Sequence, residues 1–397
     1  MINLPISKRV STMQASATLA MAQASRDLAE KGIEVISLSA GEPDFVSPKA
    51  ICDALKKSLD LGQTHYTPVK GTKNLLKAIQ YKFKRDQKID YGIDEIFATT
   101  GAKSAILLAL EAIVDENDEV IIFSPFWVSY KEQVRYAGGV PVIINTVEEN
   151  NFMPSYSAIK NAITPRTKAI ILNSPNNPTG AVISKSQLEE IALALENTNI
   201  YLISDEIYER LLFDDAEHLS PGALNDHMKH RTIVISGASK GYAMTGFRVG
   251  IVGGNKSIIA AMIKLQGQNT TCLPEFIQEA AARAFMEDGD LATELDHMCA
   301  TYQDRRDYAL DLLKKIPLLK PFVPQGAFYL WINASNFIGE HKRFASDHEM
   351  AMSMLNEAHV AVVAGSPFGL AGYLRLSIAS SKTDIKKAME RIYTWLG

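Results

Sequence analysis

The sequence predicts an α/β fold, with a large domain whose mostly parallel sheet lies between helices and a smaller α+β domain. Two patterns carry this. From about residue 95, short β-branched apolar runs alternate with amphipathic stretches, and the runs are nearly continuous rather than alternating, as expected of strands buried on both faces. After about residue 255 the order changes to long helical stretches followed by a mixture of strands and helices. The expected division is 1–40 as an arm and part of the smaller domain, 41–290 as the large domain, and 291–397 as the small C-terminal α+β domain. At 397 residues the chain exceeds what one hydrophobic core usually serves.

The first 26 residues are Ser-rich, carry Lys8, Arg9 and Arg26 and contain no acid, but they lack an apolar h-region. They read as a helical arm of the mature protein rather than a targeting segment. The strand series then runs EIFATTG, EVIIFSP, VPVIINT, KAIILNSP, IYLISDE and TIVISG, with the helical KSAILLALEAIV after the first of these. Polar residues stand where these runs end: Gly101, Ser124 and Pro125, Asn173 to Gly180, Asp205 and Glu206, and Ser236 to Lys240. Open α/β sheets bind ligands at the carboxyl ends of their strands, so function is expected there. Beyond residue 255, KSIIAAMIKLQ, PEFIQEAAARAFME and a stretch from about 290 to 315 read as helices, the last joining the two domains. GAFYLWI, HVAVVAG and GYLRLSIA read as strands, interleaved with helices near 345–358 and 382–396.

Composition excludes several classes. With 41 Lys+Arg against 45 Asp+Glu, the formal charge is -4, and no block of like charge suggests a nucleic-acid-binding arm. Cys52, Cys272 and Cys299 are too few and too scattered for a disulfide framework, which fits a reducing, cytoplasmic setting. No apolar run approaches the ~18 residues of a membrane span. There is no GxxxxGK[ST] and no GxGxxG after a strand. His227 and His230 in HMKH lack a ligand partner at metal spacing, and DENDE at 115–119 reads as a turn, so no metal is expected.

What remains is a set suited to one cofactor. NSPNNPTG (173–180), SDEIYE (204–209), SGASK (236–240) and GFRVG (246–250) occur in that order. Together with AGEPDF (40–45) and GYLRLSIA (372–379), they resemble the fold-type I, class I family of pyridoxal-phosphate aminotransferases over nearly the whole chain. Lysine carries out Schiff-base chemistry only with its amine unprotonated, which desolvation or nearby positive charge can arrange. The resemblance makes Lys240 that lysine and the group that moves the substrate Cα proton. Asp205 would hold a proton on the pyridine nitrogen, and Tyr208 and Asn177 would hydrogen-bond the cofactor's O3′ oxygen. The amides of Gly101, Ala102 and Lys103, with Ser239 and Arg248, would bind the phosphate.

The resemblance also makes Tyr66 a phosphate contact to the neighbouring subunit, hence a homodimer, and Trp127 the aromatic stacked on the pyridine ring. Arg375 would take the substrate α-carboxylate, a bidentate task suited to arginine, assisted by the Gly41 N–H. Lys103 in GAKS matches a lysine that bacterial-type aspartate aminotransferases use against a distal carboxylate, and the arm RVSTMQASAT also resembles that branch, where it covers the site. Ser104 stands where glutamine is frequent, and Phe247 where tryptophan is usual. The expected activity is transamination of aspartate with 2-oxoglutarate by a ping-pong mechanism. The alternatives are an aromatic, alanine or prephenate-type aminotransferase, a lyase, or a cofactor-binding protein without turnover, since fold alone does not settle the reaction.

Overall fold

The structure, a computed structural model, describes residues 6–397. In chain order the strands are β1 (Ile36–Ser37), β2 (Ile96–Thr99), β3 (Glu119–Ser124), β4 (Val140–Asn145), β5 (Thr167–Asn173), β6 (Tyr201–Asp205), β7 (Thr232–Gly237) and β8 (Gly250–Gly253). They continue with β9 (Lys320–Phe322), β10 (Tyr329–Asn333), β11 (Val360–Ala361), β12 (Val363–Ala364) and β13 (Tyr373–Ser377).

A seven-stranded sheet has the order β2-β8-β7-β6-β5-β3-β4. Every neighbouring pair is parallel except those of β8, which runs antiparallel to both β2 and β7. The apolar runs are continuous because successive residues feed opposite cores. Ile122, Ile171 and Ile203 pack under helix Ala102–Ile113, whereas Ile121, Ile170 and Leu202 pack against helices Tyr156–Ala162 and Lys185–Ala194.

A 25-residue helix, Gly289–Leu313, leads to a second sheet, antiparallel with order β12-β13-β10-β9. The amino-terminal β1 pairs in parallel with β11, so the start of the chain joins this later region. The arm is not one helix: Lys8–Ser11 and Ala17–Glu30 are helical and residues 12–16 break between them. Among the described residues no helix is long and apolar enough to cross a membrane, and no His, Cys, Asp and Glu group could hold a metal.

One crossing fixes the two sheets against each other. The Gln325 and Gly326 amides donate to the Gly180 carbonyl at 2.9 and 3.0 Å, and Ala327 N donates to Leu211 O at 2.9 Å. Gly180 has φ +73°, and a Cβ there would lie 2.3 Å from Pro324 Cβ, so only glycine allows the NNPTG turn this approach. The connection before β10 is thereby tied to the loops that follow β5 and β6.

Candidate active site

Asp205 closes β6 and is 4% exposed. Its Oδ2 accepts from the Tyr130 hydroxyl at 2.5 Å and its Oδ1 from Ile207 N at 3.3 Å. Burial pushes the carboxyl up to about 6, against those hydrogen bonds, with the Glu206 and Glu209 charges adding to the rise. The neighbouring acids of SDEIYE turn elsewhere. Glu206 accepts from Ser204 Oγ at 2.8 Å and Ser220 Oγ at 2.6 Å and pairs with His218, while Glu209 pairs with the buried Lys82. Only Asp205 is left to serve the strand end.

Asn173, at the end of β5, organises the next turn. Its Nδ2 donates to the Asp205 carbonyl at 2.8 Å and its Oδ1 accepts from Asn177 N at 2.8 Å. This aims Asn177 at Arg375, whose Nη1 donates to Asn177 Oδ1 at 3.0 Å while Nη2 donates to Ser39 O at 2.9 Å. Arg375 is 2% exposed, its guanidinium carbon lies 4.3 Å from the Tyr329 ring centroid, and its Nε has no partner. A buried guanidinium with a donor left unpaired can receive a carboxylate.

Lys240 follows β7 and donates from Nζ to the Gly41 carbonyl at 2.5 Å. Desolvation brings its amine down to about 8, with the Arg375 and Arg248 charges helping and Glu42 opposing. Gly41, expected to act through its N–H, here meets Lys240 through its carbonyl. Tyr208, 3% exposed, shares a hydroxyl–hydroxyl hydrogen bond of 2.9 Å with Tyr329, and burial raises its phenol well above the usual range.

Beside Lys240 the β7–β8 and β2–β8 pairings bring Arg248 to the start of helix Ala102–Ile113. Gly237 and Thr99 both pair with Gly250, and helix Ala102–Ile113 starts just after Thr99. Gly101 has φ +94°, and a Cβ on it would stand 2.8 Å from Arg248 Nη2. A Cβ on Gly250 would meet Ala102 N at 2.6 Å, so the cradle needs both glycines. The first helical amides, Ala102 and Lys103, have no helical acceptor. Ser239 is 6% exposed, and its hydroxyl makes no hydrogen bond among the described residues.

Trp127 packs edge-on to Tyr130 at 5.4 Å, which sets it next to the Asp205 end of the site. Lys103 Nζ lies 4.9 Å from the Trp127 centroid, and its amine is held below the usual range by desolvation and by Arg248. A cavity of about 860 Å³ opens here, lined by Lys103, Ser104, Arg248 and residues 13–17 of the arm. Ser104 thus faces the cavity, whereas Phe247 packs against the core. Tyr66 is 90% exposed and makes no side-chain hydrogen bond or ring contact with these residues among those described. His227 and His230 bond Arg231 and Asn255, away from any such site.

Residues 33–392 match the family described as aminotransferase class I and II. The chain belongs to that family. A curated aspartate aminotransferase of Bacillus sp. (strain YM-2) is 44% identical over 388 residues, 98% of each chain. An aspartate/prephenate aminotransferase of Thermus thermophilus is 40% identical over 401 residues, 99% of each. The solved aspartate aminotransferase of Thermus thermophilus with maleate superposes with a TM-score of 0.93 at 39% identity, covering 99% of this chain and 100% of that one.

This aminotransferase uses pyridoxal phosphate, and its residues fit that cofactor. Lys103, Lys240, Arg248 and Arg375 form no ion pair among the described residues, although Arg248 and Arg375 both depress Lys240 and Arg248 depresses Lys103. Four basic groups linked by these repulsions and without an ion-pair partner suit anions, which a phosphate and substrate carboxylates supply. Sequence reasoning missed Tyr130, Ser39 and Tyr329, and the role of Asn173 in holding Asn177. Of these, Asn173 carries a signal, since it stands at a strand end in the same motif as Asn177.

Proposed function

We propose that this aminotransferase moves the amino group of L-aspartate to 2-oxoglutarate, yielding oxaloacetate and L-glutamate through a ping-pong cycle. One observation carries the reading: two cations of different depth, buried Arg375 and rim-side Lys103, both lack a carboxylate partner. Arg375 takes the α-carboxylate common to all amino acids, and Lys103 takes the distal one. The likeness to a structure with maleate, itself a dicarboxylate, supports this.

When bound, pyridoxal phosphate supplies an aldehyde for the amino group and a ring that accepts the electrons of the breaking Cα–H bond. The chain does the rest. Gly101, Ala102, Lys103, Ser239 and Arg248 hold the phosphate, and Trp127 covers the ring face. Asp205 keeps a proton on the pyridine nitrogen, while Tyr208 and Asn177 hydrogen-bond the ring oxygen. The Lys240 amine, low enough to be partly neutral near pH 7, removes the proton from the substrate Cα.

We also propose a cytoplasmic homodimer in which Tyr66 completes the partner's phosphate site, a reading supported by its 90% exposure. The division at residues 40 and 290 belongs to the same proposal. A second substrate reading has its own support: relatives are named aspartate/prephenate aminotransferases. Prephenate, also a dicarboxylate, would use the same two cations.

The test is a half-reaction screen. The holoenzyme is mixed with single amino acids, and conversion of the cofactor to its amine form is followed by absorbance. Aspartate and glutamate should react fastest. Faster reaction with phenylalanine or alanine would replace the dicarboxylate reading.

A further inference from the structure

We propose that Tyr329 is a positioning residue of this site, setting the Tyr208 hydroxyl and the Arg375 guanidinium with one side chain. The proposal rests on the reading above, in which Tyr208 serves the cofactor's ring oxygen and Arg375 the substrate carboxylate.

Tyr329 lies on β10 and is 1% exposed. Its ring face sits under Arg375, 4.3 Å from the guanidinium carbon, and β10 pairs with β13, the strand that carries Arg375. This is a cation–π seat that a phenylalanine would provide equally well. A buried hydroxyl is costly unless bonded, so the phenolic oxygen must answer another need. Its one side-chain partner among the described residues is the Tyr208 hydroxyl, at 2.9 Å. Gly41 leaves it room: a Cβ there would be 3.3 Å from Tyr329 Oη.

Each hydroxyl has one proton. If Tyr329 donates to Tyr208, the Tyr208 proton is freed for a third acceptor, and the chain of hydrogen bonds makes Tyr208 the better donor. The charged and titratable groups around the pair are Asp205 on the strand before Tyr208, Arg375 on β13, and Lys240, whose Nζ lies 6.0 Å from the Phe328 ring centroid. None of them supplies a competing hydrogen bond to either phenol among the described residues. The Tyr208–Tyr329 bond also joins the large sheet's strand end to the second sheet, so the two receptors are fixed in one frame.

Tyr329→Phe and Tyr329→Leu holoenzymes test this. A stronger Tyr208 donor favours the deprotonated form of the bound cofactor's pH-sensitive visible band. Tyr329→Phe should therefore raise the midpoint of that band by about half a pH unit or more. It should lower kcat for aspartate roughly fivefold with KM changed less than about twofold, because the ring under Arg375 remains. Tyr329→Leu should in addition raise KM about tenfold. An unchanged or lower midpoint in Tyr329→Phe, or a KM rise equal to that of Tyr329→Leu, would overturn the proposal. A parent enzyme without a pH-sensitive band would overturn the functional reading as well, so the two failures are distinct.

Discussion

The Tyr130 hydroxyl donates to Asp205 Oδ2 at 2.5 Å, so the carboxylate that ends β6 is held by a helix lying 75 residues earlier in the chain. This bond favours the charged carboxylate, yet burial still pushes Asp205 from its ordinary 3.8 up to about 6. A protonated pyridine nitrogen beside it would supply the missing counter-charge.

Asp205→Asn follows from that balance. The folded chain holds the Asp205 proton more tightly than the unfolded chain, so this group's stabilising contribution is full below 3.8 and is lost as pH rises through about 6. The difference is worth about 3 kcal/mol by pH 7. Asparagine does not ionise. The cofactor-free variant should therefore melt higher than the parent at pH 7, with the gap closing near pH 4, while kcat of the holoenzyme falls at least ~100-fold. Thermal unfolding at the two pH values and steady-state kinetics decide it. Near-normal turnover would remove Asp205 as the pyridine partner.

Lys103→Ala should separate substrates. For aspartate and glutamate, kcat/KM should fall by about 2–4 kcal/mol, the scale for losing one partner of a desolvated charge pair. For phenylalanine and alanine it should change little or rise, since neither carries a distal carboxylate. Equal losses for aspartate and phenylalanine would remove the residue-level reason for a dicarboxylate enzyme.

Tyr66 predicts shared sites. Mixing Lys240→Ala protein with protein carrying a charged replacement, Tyr66→Glu, should restore part of the activity, because some exchanged dimers then hold one intact site. Activity assays after subunit exchange measure this. Exchange without recovery would mean that Tyr66 serves its own chain or no site.

The sheet was legible from the sequence because buried parallel strands leave continuous apolar runs that end in polar motifs. β8 was not: Gly250–Gly253 is four residues with glycine at both ends, and it was visible only as the tail of GFRVG. Its antiparallel pairing is nevertheless what sets Arg248 beside Gly101. The residues proposed for the site were legible where a motif carries them, as with Lys240, Asp205 and Asn177. Their holders were not. The partners of Arg375 are 198 and 336 residues away. Tyr130 lies in SYKEQVRY, where the pattern speaks only of an amphipathic helix. Strand-end logic says which end of the sheet matters, whereas the neighbours of each side chain depend on strand order and on the crossing at Gly180. The arm read as helix, but its break at residues 12–16 is the part that borders the cavity.

We propose that Lys240, whose amine is brought down to about 8 by desolvation, is the lysine that joins the cofactor covalently. Borohydride reduction of the holoenzyme followed by peptide mapping tests it most directly. The cofactor mass should be found on the peptide containing Lys240. Lys240→Ala should retain cofactor through Arg248, Ser239 and the helix amides, yet show neither a reduced adduct nor turnover. A reduced adduct on any other lysine of the parent enzyme would contradict the claim.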